Sequence, residues 1–511
     1  MARHIPSGAL SPTLRQCAWT VKDGPHQWAT CAKEEFAMPK FDLILKGGRI
    51  LDPANGLDAP RDIGIAGGHI EAVEPELDPE LGDSVIDVSE RWVIPGVVDS
   101  HVHVSTGDRG GDRALGYRQM AEAGVTTAID FAGTMPGIID GIRRRGAGLN
   151  IGGLYVLSPE MTVPGDDPSA GLLRDTLARA LAEGSLGFKC MGGHNPLTPE
   201  ATARAIAVAN ESMAYVALHC GTKATSSHLE GLREVPELVG NGRLHVAHVN
   251  AYCRGMILPA MDECHEALSL LSRMRDQLVS EVHLAVPNGT SGLCRGDDVT
   301  DFVTQNCLLM RDYPLTRTGL RQAMEDGYAS VITQRGDRVV LVQKEEAIEE
   351  WEASGTDISI SFPVGLPQSN FNLTVAKDET GEFVIDAVAT DGGYHPRNIA
   401  VERTWAMTKL GALTPLEMAA KLSWNPARMF GLTGKGHLSP GADADVTVVE
   451  PATGIPSLGI VAGEVIMREG RAMGAGGTLL VTKAGEDAAK KSGLGYQIVD
   501  LSRSKLYAGY R

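Results

Sequence analysis

Apolar residues fall in short runs broken by glycine and proline, and a regular pattern begins at Phe41. Residues 41–51 (FDLILKGGRIL) predict a strand, a Gly-Gly turn and a second strand. Further short strands are predicted at Asp62–Ala66, His69–Val73 and Ser84–Asp87. Short strands this close together, with Gly and Pro between them, predict a small β-domain. At Trp92 the pattern changes. Apolar runs now alternate with amphipathic helical stretches such as Arg113–Ala123, Asp175–Glu183 and Pro199–Ser212. The runs are Gly96–His103, Thr126–Phe131, Gly153–Leu157, Ser185–Cys190, Tyr215–Cys220, Leu244–Asn250, Glu281–Pro287 and Val384–Asp391.

Repeated strand–helix steps on this count predict an α/β fold, a TIM-like (β/α)8 barrel. The interval 295–383 is too long for one connection and carries its own signals: helices at Leu320–Asp326 and Glu345–Ala353, and a strand at Arg338–Gln343. It predicts an insertion over the barrel mouth between strands seven and eight. Helices Asn398–Leu410 and Pro415–Ala427 follow, then strands Asp445–Glu450 and Ile460–Met467. The predicted organisation is an N-terminal tail (1–37), a small β-sandwich domain from the N- and C-terminal segments (38–92 and 430–480), the barrel (93–429), and a C-terminal tail (481–511).

Composition narrows the function. With 43% hydrophobic and 22% charged residues, the chain reads as a globular protein, and no apolar run is long enough to span a membrane. A net charge of −17 without a long basic run repels polyanions, which argues against nucleic acid. Eight scattered cysteines without a CxxC pair read as reduced thiols, and no basic start leads into an apolar run; both point to the cytoplasm. A small-molecule substrate is the expected partner, and a homo-oligomer is compatible with this composition.

Candidate chemistry collects at strand ends, where such barrels place catalysis. Strand one ends in His101-Val102-His103, and alternation aims both imidazoles the same way, as a ready pair of metal ligands. Alone, such a pair is as often two ordinary histidines. Strand four carries Lys189 inside an apolar run, where a charged amine needs a partner, a depressed pKa or modification. Strand five ends at His219, and strand six holds His245 and His248. These two have opposite parity, so His248 is read as inward and His245 as facing the helices. Strand eight ends in Asp391-Gly392-Gly393. Cys190 and Cys220 alternate away from the site. Arg254, Lys223, Asn288, Arg295 and Tyr394 are the loop candidates for holding substrate; a guanidinium at Arg254 suits a carboxylate.

This ordered set resembles the binuclear, carboxylated-lysine form of the amidohydrolase superfamily over roughly residues 41–470. The motifs VIPGVVDSHVH, WNPARMFGLTGKGHLSPGADADVTVVEP and FDLILKGGRILDPANG carry the resemblance. It implies two divalent metal ions, with zinc the expected metal. His101, His103 and Asp391 would hold one, His219 and His248 the other, and N6-carboxylated Lys189 would bridge them. Asp391 would also be catalytic, moving the proton between a metal-bridging hydroxide and the leaving amine. Metal-dependent hydrolysis of a C–N amide bond is the implied reaction. Deaminating relatives usually carry a glutamate shortly after the strand-five histidine and lack the strand-four lysine; this chain has CGTKAT there and keeps Lys189.

The interval of 29 residues from His219 to His248, with the insertion, is most similar to the N-acyl-D-amino-acid deacylase and isoaspartyl dipeptidase branches. That implies a small N-acyl amino acid or dipeptide-like substrate. Two features depart from that pattern. Asn250 stands where D-aminoacylases typically carry a lysine, and their bridging cysteine is missing around Asp130-Phe131-Ala132. A cyclic amide hydrolase of the hydantoinase, dihydropyrimidinase or lactamase kind is the alternative. An inactive hydantoinase-like scaffold is the third reading, and the filled ligand positions count against it.

Overall fold

The computed structural model describes residues 40–105 and 111–508. The expected tail at 1–37 lies outside the described residues. The central sheet is a ring of parallel strands: β1 (Val97–His103), β2 (Val125–Gly133), β3 (Ala147–Leu157), β4 (Gly187–Met191), β5 (Tyr215–His219), β6 (Leu244–Val246), β7 (Leu278–His283) and β8 (Ala387–Ala389). Each pairs with the next. Past Thr390-Asp391 the eighth strand resumes at Gly392-Gly393, which pairs with Val102 and His103 of β1 and closes the barrel.

The helices form for ordinary local reasons. Helix Ala170–Ala182 is capped by the Ser169 side chain and buries Leu173, Thr176, Leu177 and Ala180. Helix Pro199–Glu211 is capped by Thr198 and opens on Pro199, whose missing N–H costs nothing in the first turn. Apolar faces of the helices pack on the outside of the strands, with Cys190 and Cys220 among them. A second cluster joins Ile129, Leu154, Tyr215, Ala217, Val279 and Ala387 of the strands to Phe430 and Leu480. Phe430 stacks on Tyr215 at 4.2 Å between centroids, filling the barrel below the site.

The small β-domain is one continuous nine-stranded sheet that mixes both ends of the chain. Trp92–Pro95 joins its leaves, pairing with Leu43–Asp52 on one side and Val446–Val449 on the other. Leu43, Ile63 and Ile65 share a core with Val446, Leu458 and Ile460, as the predicted sandwich requires. Two local predictions are corrected. Residues 41–51 do not turn: Leu43–Asp52 is a single strand whose register shifts between Leu45 and Gly48. Gly47, at φ +77°, sits in that bulge with its N–H on Asp62 at 2.7 Å. Conversely, Ile460–Met467 is two strands, Pro456–Val461 and Glu464–Arg468, split by a turn at Ala462-Gly463.

The insertion folds around its own apolar cluster between Val299 and Val364. Its sheet joins Thr290–Ser291, Ser330–Arg335, Arg338–Gln343 and Ser359–Ser361, and its helices are Phe302–Leu309, Arg317–Glu325 and Lys344–Ala353. Helix Pro367–Val375 belongs to the barrel layer instead, packed on helix Ala260–Arg273.

The C-terminal segment is also not a loose tail. Gly476–Val481 adds in parallel to the first half of β3 and pairs with Gly495–Ile498. β4 takes the same side of β3 only further along, at Tyr155–Leu157. The sequence obscured this because the segment is short and glycine-rich, yet Leu479, Leu480 and Val481 are all buried. Among the described residues no helix is long and apolar enough to cross a membrane.

Candidate metal centre

At the C-terminal end of the barrel, His101 Nε2 and His103 Nε2 face each other at 3.1 Å. Asp391 Oδ1 lies 2.9 Å from His103 Nε2 and 3.5 Å from His101 Nε2. The ligand atoms of these three residues all lie within 4.8 Å of one another. Alternation along β1 aims the imidazoles inward. Asp391 reaches them because the eighth strand breaks there, with φ +51° at Asp391 and its N–H on His101 O at 3.0 Å. Below, Asp99 ties β1 to β8, accepting from Thr390 N at 3.1 Å and His101 N at 3.3 Å.

Lys189 enters from β4, fully buried, and its Nζ has no hydrogen-bond partner among the described residues. It lies 4.8 Å from the centroid of the Phe131 ring, which itself stacks on His101 at 4.2 Å. Burial pulls the amine down to about 8, against the upward pull of Glu281 and Asp391. His219 and His248 meet edge to face at 4.4 Å, and His248 stacks against His101 at 5.1 Å. The six candidate ligands therefore share one cluster. Burial holds His101, His219 and His248 well below the usual imidazole range, so all three are neutral, the form that binds metal. Burial alone would raise the Asp391 carboxyl. Arg397, His101 and the bond from His103 outweigh it and hold the group well below the usual carboxylate range.

His245 corrects the parity argument. It lies inside the barrel, between Tyr215 and Glu281, and does not face the helices. β6 ends at Val246, and His248 takes a left-handed backbone at φ +40° that resets the alternation. Both histidines therefore point inward. Positive φ at a residue other than glycine is uncommon, and it occurs here at two members of the cluster.

A cavity of about 920 Å³ opens above the cluster, lined by His103, His219, His248 and Asp391 at its floor. The insertion supplies part of its wall through Thr290, Leu293, Asp301 and Val303. Of the residues expected to hold substrate, Arg254, Lys223, Asn288 and Arg295 line it. Lys223 is ion-paired to Asp166 on the rim. Asn288 is engaged structurally, accepting from Phe362 N at 2.8 Å. Tyr394 is not part of the wall. The pairing of Gly392-Gly393 with β1 draws it down, its N–H bonds His103 O at 3.1 Å, and its ring packs under the Arg113 guanidinium at 4.7 Å. Asn250 bridges Asn370 and the His283 N–H, both at 3.0 Å, so its side chain is committed to the fold.

Sequence reasoning missed several groups. Arg113, Arg397, His194, His283 and His395 all line the cavity. His194 is held by Asp301 of the insertion at 3.1 Å. Glu281 lies just beneath, fully buried. A carboxylate inside the apolar run LVSEVHLAV needs a partner just as Lys189 does, and that signal was available in the sequence.

Comparison with known proteins agrees with this geometry. The model of the amidohydrolase family matches residues 92–466. The chain belongs to the amidohydrolase family. A dihydroorotase from Pelotomaculum thermopropionicum is 24% identical to this amidohydrolase over 434 residues, spanning 80% of this chain and 89% of the relative. Among solved structures, the N-acyl-D-glutamate deacylase of Bordetella bronchiseptica, complexed with zinc and a phosphonate inhibitor, superposes with a TM-score of 0.62 at 16% identity. That match covers 86% of this chain and 99% of the deacylase. A D-hydantoinase gives 0.56 at 17% identity, over 86% and 98% of the two chains. This amidohydrolase is a metal-dependent hydrolase.

Proposed function

We propose that the cluster is a two-metal centre, with zinc as the metal, that hydrolyses the C–N amide bond of a small N-acyl amino acid or dipeptide-like substrate. One observation carries the reading: three facing ligand atoms from His101, His103 and Asp391 adjoin the unpartnered, buried Lys189 amine and the paired His219 and His248 rings. An unpaired buried amine is costly. Carboxylation of Lys189 would turn it into an anionic oxygen ligand, so the donor set fits divalent ions. Bound there, divalent ions would acidify water and polarise the amide carbonyl.

The chain's own groups do the rest. Asp391 Oδ1 faces the ligand nitrogens while its Oδ2 is held by Arg397, which keeps the carboxylate ionised and aimed. It takes the proton that the attacking water loses and delivers it to the leaving nitrogen as the C–N bond breaks. The insertion supplies part of the wall around the reacting atoms.

Substrate chemistry is read from the cavity. Arg254 and Arg113 line the wall beside the Arg397–Asp391 and Lys223–Asp166 ion pairs. Arg254 Nε is buried without a hydrogen-bond partner among the described residues, as a carboxylate-binding guanidinium awaiting its ligand would be. The cavity volume suits a small-molecule substrate. The second reading is a cyclic amide, favoured by the similarity to a dihydroorotase and a D-hydantoinase. Metal-replete enzyme offered N-acyl amino acids and cyclic ureides in parallel separates the two. Turnover of the cyclic set alone overturns the linear reading, and a metal-replete preparation that binds no transition metal overturns both.

A further inference from the structure

Val279, Glu281 and His283 share the inward face of β7. Glu281 is fully buried, and its Oε1 contacts two candidate ligands of the metal cluster. Its Oε1 lies 2.8 Å from His101 Nδ1 and accepts from the backbone N–H of His248, also at 2.8 Å. Its Oε2 meets His245 Nε2, and Tyr215 OH lies 3.2 Å from His245 Nδ1. A single carboxylate oxygen thus touches a candidate ligand of one metal by its ring and a candidate ligand of the other by its backbone.

An ionised Glu281 sets a tautomer. As a carboxylate, Oε1 only accepts, so the bond to His101 then comes from an Nδ1–H. That leaves His101 Nε2 as the lone pair facing His103 and Asp391, where a metal ligand must be. The second bond bears on His248, whose left-handed backbone turns its ring inward. With that N–H unpaired, nothing else among the described residues holds the backbone N–H of this strained turn in place. Behind Glu281, His245, itself bonded to Tyr215 OH, occupies the other oxygen and stops the carboxylate rotating.

We propose that Glu281 is a positioning residue that sets the ligand geometry of both halves of the metal centre at once. This rests on the two-metal reading above. Partners that orient a ligating histidine typically change metal affinity by about 10–100-fold when removed. A carboxylate contacting only one ligand would affect one site; Glu281 affects two.

Glu281→Gln keeps the shape and puts an amide NH2 in place of one carboxylate oxygen. Zinc binding is measured on metal-stripped wild type and variant by competition with a chromophoric chelator. Wild type binds two zinc ions, and the variant is expected to bind both more weakly by about 10–100-fold, with an unchanged circular dichroism spectrum. Two ions bound with wild-type affinity by the variant overturn the proposal, whatever its melting temperature, because a purely structural role alters stability alone. Loss at one site only also overturns it. A wild type that binds no zinc removes the two-metal reading and this inference with it. Should the variant not fold, 15N-histidine spectra of stripped wild type decide. An Nδ1-protonated His101 is expected, and an Nε2-protonated one overturns the proposal.

Discussion

Arg397 grips Asp391 at both ends. Its Nη2 lies 2.7 Å from the carboxylate Oδ2, and its Nε donates to the backbone carbonyl of the same residue at 2.6 Å. Bonding side chain and main chain together pins the aspartate in its left-handed conformation and leaves Oδ1 turned toward His101 and His103. Asp391→Asn is therefore expected to fold and keep most of its zinc while kcat falls about 10²–10⁴-fold, the usual loss for a general acid–base group. Steady-state kinetics with metal analysis on the same sample test this. Near-normal kcat removes Asp391 from the proton path.

Lys189→Ala deletes the proposed bridge. Expected outcomes are loss of metal and of turnover, with partial recovery of both when short carboxylic acids such as acetate or propionate are added to the assay. Such acids place a carboxylate where the carbamate would stand. Metal content that survives the substitution, with no response to added acid, argues against carboxylation.

Arg254→Ala is expected to raise KM for N-acyl amino acids about 10–100-fold, the range of a lost charge-assisted hydrogen bond. The corresponding methyl esters should be turned over with similar KM by both proteins. An equal KM penalty on acids and esters places Arg254 in the fold and not on the substrate carboxylate.

Away from the site, Lys421 is fully buried, and burial pulls it down to about 7 despite nearby Asp386. The group is charged in the unfolded chain up to about pH 10.4 but loses its proton near 7 when folded. Between these values the unfolded state binds more protons, so stability rises with pH, by at most about 1.4 kcal/mol per unit from this group. Lys421→Met should flatten that slope in denaturant titrations at pH 7.5 and 9.5. An unchanged slope means that Lys421 is charged in the folded protein, paired through its bond to Ile385 O at 2.5 Å.

The barrel was legible because its signal is repeated. Each strand is an apolar run, and polar residues recur at the same end of successive strands. His101, His103, Lys189, His219, His248 and Asp391 stand out as candidates from that register, and the resemblance gives them their roles. Parity failed at His245, since alternation holds only while the strand lasts and β6 stops two residues before His248. Tyr394 was misplaced because the pairing of Gly392-Gly393 with β1 is a long-range event without a local signature. Glu281 was passed over because a strand was read for its end and not its middle. The C-terminal segment was unreadable for a related reason: six residues gain their meaning only from a partner strand laid down much earlier in the chain.

That partnership bears on synthesis. Residues 476–481 lie against the start of β3, at Ala147–Ile151, and Leu480 joins Phe430 and Tyr215 inside the barrel. All eight barrel strands can leave the ribosome while this edge of β3 and the floor beneath the ligands are still exposed. The nascent barrel is therefore sealed by residues translated after every barrel strand, and a chain stalled before residue 476 presents an open strand edge to chaperones and proteases.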